Sequence, residues 1–117
     1  MRYKIEIEEN YVVLRESEDG QKLQEIFREL SSQSMFSIIL EKKELFAEDE
    51  LITLQDQVNN IEDNYGILIA VGSEKFRNTL EAIGSESIIW LPTKDEAVEA
   101  VYMNELESQF RKELDQE

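Results

Sequence analysis

Three consecutive carboxylates, Glu48, Asp49 and Glu50, stand directly ahead of the apolar positions Leu51, Leu54, Val58 and Ile61, which recur at helical spacing. Acids in the first turn of a helix meet its free N–H groups and the positive end of its dipole, an effect of about 0.3–1 kcal/mol each at exposed positions. The same block is also a patch of fixed negative charge for a protein partner to read. The two readings are compatible.

Few other residues offer chemistry. The chain has no histidine and no cysteine. That removes the commonest general base, the Ser-His and Cys-His nucleophile pairs, disulfides, thiolate metal sites and nearly every zinc arrangement. No catalytic residue is assigned, and the chain reads as a non-enzyme without a cofactor. The acid-rich segments Glu16-Ser17-Glu18-Asp19-Gly20 and Glu62-Asp63-Asn64-Tyr65-Gly66 lack the alternating oxygen ligands and the later glutamate of a calcium loop, so no metal site is assigned. Gly72-Ser73 stands where a strand meets a helix. An anion could settle there, but a single glycine followed by Glu74 favours simple capping. Ser17, Ser31, Ser32 and Ser34 are loop serines that nothing local selects as phosphoacceptors.

With 27 acidic and 12 basic residues in 117, the net charge is −15, which repels nucleic-acid phosphates and anionic membrane surfaces. No apolar run approaches membrane-spanning length, and Met1-Arg2-Tyr3-Lys4 opens on charged alternation, unlike a signal peptide. The expectation is one compact cytoplasmic domain over residues 1–117, with an extended C-terminal helix.

The elements that position these groups follow from periodicity. Tyr3, Ile5 and Ile7 alternate with charged residues as in a strand with one wet face. Glu9-Asn10 makes a turn, and Tyr11 to Leu14 completes a hairpin. Asp19 is the expected cap of a helix whose inner face carries Leu23, Ile26, Phe27 and Leu30. Phe36 to Leu40, Ile67 to Val71 and Ser87 to Leu91 are short apolar runs suited to buried strands. A helix starting after Ser73 turns Phe76, Leu80 and Ile83 inward. Pro92, then Thr93 with Glu96, spells a break and a capping box for a last helix that buries Ala97, Val98 and Val101. Trp90 reads as core. Strand and helix in alternation, joined by short loops, predict an α/β fold: an N-terminal β-hairpin and a mixed, mainly parallel sheet with about four helices.

This order of elements resembles the STAS domain, found in bacterial anti-sigma factor antagonists and at the ends of sulfate transporters. Its best local matches are Ile67 to Gly72 with Phe76 to Leu80, and Thr93-Lys94-Asp95-Glu96-Ala97. The resemblance covers nearly the whole chain and rests on apolar pattern and length. It implies a serine, at the helix N-terminus after the third strand, that a kinase-like anti-sigma factor phosphorylates. Here that position falls within Ala47, Glu48, Asp49, Glu50 and Leu51: the family's Asp-Ser pair falls on Ala47 and Glu48 or, shifted by one, on Glu48 and Asp49, and the acceptor position is acidic either way. A carboxylate carries one charge and two oxygens against the roughly −1.5 to −2 charges and three oxygens of a phosphoserine, so it imitates the modified state only in part. The turn after the second strand, Arg15-Glu16-Ser17, also lacks the glycine many members show. The expectation is a protein-interaction domain with an unphosphorylatable switch. The alternative is a small α/β domain holding an apolar or anionic small molecule beside the strand ends. A second surface is the stripe Leu106, Phe110 and Leu114, which either covers the domain's own flank or pairs two copies as a homodimer.

Overall fold

The computed structural model describes residues 2–8, 11–30, 37–42, 48–63, 66–82 and 88–115. Strands β1 (Tyr3–Ile7) and β2 (Tyr11–Glu16) precede helix α1 (Leu23–Leu30); β3 (Ser37–Glu41), α2 (Glu48–Asp63), β4 (Leu68–Val71), α3 (Glu74–Ala82), β5 (Ile88–Leu91) and α4 (Lys94–Asp115) follow in alternation. The five strands form one mixed sheet in chain order. β1 pairs antiparallel with β2, and every later pair is parallel.

The hairpin register sets Ile5 against Leu14 and Ile7 against Val12. It is closed by the Glu8 N–H donating to the Tyr11 carbonyl at 2.9 Å; Glu9-Asn10 itself lies outside the described residues. A sheet that grows strand by strand in one direction through right-handed crossovers must place its crossover helices on a single face. The packing agrees. Leu23, Ile26, Phe27 and Leu30 of α1, Leu54, Val58 and Ile61 of α2, and Phe76 and Leu80 of α3 share one core with Val12, Leu14, Ile38, Leu40, Leu68 and Ala70. The alternate residues Val13, Ile39 and Ile69 face the other way, where Ala97 and Val101 of α4 cover them. Tyr11 packs at the margin of this second layer, where burial and then the nearby Glu8, Tyr102 and Glu6 hold its phenol above the ordinary tyrosine value.

Two expectations from periodicity change. Asp19 does not cap α1, which begins at Leu23. The chain first crosses β1, with Tyr3 and Gln21 exchanging two backbone hydrogen bonds of 2.8 Å each. That crossing is why residue 20 is glycine, since a Cβ there would collide with the Tyr3 backbone carbonyl. The second change concerns β5, an edge strand rather than a fully covered one: Ile89 is exposed while Ile88 is buried. At the last helix, the Glu96 N–H donates to Thr93 Oγ1 at 3.3 Å, which is one half of the expected capping box.

Candidate functional site

In a parallel sheet all strands end on the same rim, and each helix that follows a strand starts there. The ends of β2, β3, β4 and β5 therefore bring together the starts of α1, α2, α3 and α4, and with them Glu48, Asp49 and Glu50, Glu74, and Asp95 and Glu96. The sequence-predicted segment begins a helix at this rim. Glu48, Asp49, Glu50 and Leu51 form the first residues of α2, and Ala47 lies outside the described residues.

Glu50 departs from the expected surface. It is buried, 7% exposed, and its carboxylate turns inward. Strand alternation carries Ile38 and Leu40 of β3 toward the α1–α3 side, and Lys42 continues that parity one step past the strand. Lys42 Nζ donates to Glu50 Oε1 at 3.0 Å and to the Tyr3 hydroxyl at 2.7 Å. The Tyr3 hydroxyl in turn donates to Glu50 Oε2 at 2.6 Å. Glu16 Oε1 stands 3.7 Å from the same nitrogen. Tyr3 faces Glu16 across the hairpin, so β1, β2, the end of β3 and the start of α2 each contribute one member.

A lysine, a tyrosine and two carboxylates are residue types suited to proton transfer. The Lys42 side chain, however, has no exposed surface. The cluster's work in this arrangement is to hold the start of α2 on the sheet. Burying ions is tolerated because each is paired and hydrogen-bonded. Gly72, the next position of β4, shapes the same layer: a Cβ there would come within 2.7 Å of the Phe76 ring and 3.0 Å of the Lys42 carbonyl oxygen. Steric fit thus explains this glycine, and Ser73 beside it accepts backbone hydrogen bonds from Phe76 and Arg77 at the start of α3.

Sequence reasoning misses this cluster, although two signals in the pattern could have found it. Counting back one turn from Leu54 reaches Glu50, on the same face as Leu54, Val58 and Ile61. Counting on by two from Leu40 reaches Lys42. Charge alone argued for solvent at both, and burial of the pair overrides it.

On the opposite side of the sheet, Arg15 ties β1 to β3 by donating to Glu6 Oε1 at 2.7 Å and Glu41 Oε2 at 2.9 Å, in a half-exposed setting. Trp90 is only partly buried, packs against the main core and has Arg77 5.6 Å from its ring centre. A shallow groove between α1 and α2 is lined by Gln24, Phe27, Arg28, Thr53, Asp56 and Gln57. Gln57 Oε1, buried there, has no hydrogen-bond partner.

Of the other predicted stripe, Leu106 and Phe110 are 60% and 67% exposed, so neither covers the domain's own flank; the Leu114 side chain lies outside the described residues. Among the described residues, no group of three or more acids is placed to hold a metal ion, and no helix is long and apolar enough to cross a membrane. Compared with protein-family models, with curated proteins and with solved structures, the chain gives no match.

Proposed function

We propose that the chain is a non-enzymatic protein-interaction domain that resembles an anti-sigma factor antagonist, with acidic residues in place of the phosphorylatable serine. The observation that carries the reading is the position of Glu48 and Asp49 in the first turn of a helix, at the rim where the parallel strands end. A helix start is where a phosphate or a carboxylate is electrostatically favoured, because unpaired N–H groups converge there. The inward anchor through Glu50 supports the reading further, since it fixes the direction from which that turn leaves the sheet. The partner class is a kinase-like anti-sigma factor, and the surface is the start of α2 with its adjoining loops. The compartment that goes with this partner is the cytoplasm.

A titration of the wild type, Glu48→Ser and Asp49→Ser into a kinase-like anti-sigma protein tests this. The fixed acid weakens the wild-type contact, and one of the serine variants tightens it. Absence of binding by all three removes the assignment.

A second reading has one observation behind it. The α1–α2 groove is lined by Arg28, Asp56 and Gln57, whose buried Oε1 lacks a hydrogen-bond partner, which favours a small ligand that combines an anionic group with an N–H or O–H donor. It lies between helices α1 and α2. A thermal-shift screen of such ligands, repeated on Gln57→Leu, separates the two readings: a midpoint rise lost in the variant supports the groove.

A further inference from the structure

Helix α4 carries large apolar side chains outward as well as an apolar face toward the sheet. Its buried positions are Ala97 and Val101 in the first half and Ser108, small and polar, in the second. Its outward positions are large and apolar: Tyr102, Met103, Leu106 and Phe110 are 51%, 65%, 60% and 67% exposed. Spacings of three and four set Met103, Leu106 and Phe110 in one row along the axis, with Tyr102 beside Leu106. Single exposed apolar residues are ordinary, whereas a continuous row of four on one helix marks a surface that something covers.

We propose that this row docks an amphipathic helix of another protein whose polar flanks carry lysine and arginine. The rim of the row decides the partner. Glu99 precedes Met103 by one turn, and Glu107 lies between Leu106 and Phe110; both are exposed. From Asp95 to Phe110 the helix contains no basic residue at all. A parallel second copy therefore brings acid to acid along this stretch, an antiparallel one offers only Arg111 and Lys112 against the acids, and the net charge of −15 opposes self-association and repels anionic lipid headgroups. A helix with apolar residues at spacings of three and four and bases on both sides meets the row with apolar surface and the rim with opposite charge. The docking face lies on the α4 side of the sheet, so it is separate from the start of α2 and does not depend on the reading given to that turn.

The test uses the intact chain and a labelled synthetic helix of leucine and lysine at amphipathic spacing, followed by fluorescence anisotropy. Two control peptides replace lysine by glutamate, or leucine by serine. The wild type binds the leucine–lysine helix, does not bind the leucine–glutamate one, and binds the serine–lysine one more weakly. Leu106→Ser with Phe110→Ser lowers affinity by about tenfold or more, and Met103→Ser alone lowers it in the same direction. Because these side chains are exposed, the variants keep the wild-type melting temperature, which checks the fold. Equal binding by wild type and variants assigns the attraction to net charge alone and overturns the proposal, as does no binding by the wild type. A wild-type dimer in sedimentation equilibrium that Leu106→Ser with Phe110→Ser dissociates overturns it in favour of a second copy.

Discussion

Tyr3 and Glu50, 47 positions apart in the chain, meet through a 2.6 Å hydrogen bond from phenol to carboxylate, and Lys42 donates to both. The first strand, the end of the third and the start of α2 are thereby joined in one buried contact. The segment proposed to face a partner is built on it.

Removing one member of a buried ion pair leaves the other charge unpaired, which costs about 3–5 kcal/mol. Lys42→Met is therefore expected to destabilise the chain by that amount in urea unfolding. Tyr3→Phe removes both hydrogen bonds of the hydroxyl, to Glu50 and from Lys42, but leaves those charges paired with each other, so its cost is about 1.5–3 kcal/mol, below that of Lys42→Met. The triple variant Tyr3→Phe, Lys42→Met, Glu50→Leu recovers most of the loss, because apolar replacement of a whole buried pair is often near neutral. A triple variant no more stable than Lys42→Met contradicts the account of the cluster.

Arg15 bridges Glu6 and Glu41 with side-chain exposures of 41%, 43% and 27%, so water and salt screen it. Arg15→Met is expected to cost about 1 kcal/mol or less, and less still at high salt. The contrast with Lys42, measured in the same buffer, separates a screened bridge from a buried one.

Gly20→Ala forces a methyl group into the Tyr3 backbone, whereas Gly72→Ala meets first the Phe76 ring, a side chain able to give a little. Both fall in the range of about 1–3 kcal/mol for overpacking, with Gly20→Ala the larger. Thermal unfolding of the two variants checks the order.

Thr93→Ala is expected to cost about 1 kcal/mol through loss of the α4 cap. Thr93→Ser keeps the hydroxyl and stays near the wild-type melting temperature.

Much of this fold is legible in local pattern. Alternation at Tyr3 and Ile5, the apolar runs through Ile39 and Ile69, and the Pro92–Thr93–Glu96 signature each report a local energy that tertiary packing then respects, whereas Ile7, third in the same alternation, is 68% exposed at the strand's end. Asp19 misleads because its segment is drawn across β1 by backbone hydrogen bonds that no local propensity encodes. Lys42 goes unremarked in local pattern and Glu50 reads as a surface acid, since each ion is tolerable inside only with its distant partner. The α4 stripe shows a different limit. Periodicity establishes that Leu106 and Phe110 share a face; which face the sheet takes is decided by Ala97 and Val101, which pack against Val13, Ile39 and Ile69.

The central claim, that the acids opening α2 occupy the place of a phosphoacceptor, is tested most directly by phosphate transfer from a kinase-like anti-sigma factor. Radiolabelled ATP is supplied with the wild type, Glu48→Ser and Asp49→Ser. The account predicts no label on the wild type and label on one serine variant, at the substituted position by peptide mapping. Label on none of the three, or label on the wild type at Ser17, Ser31, Ser32 or Ser34, contradicts it.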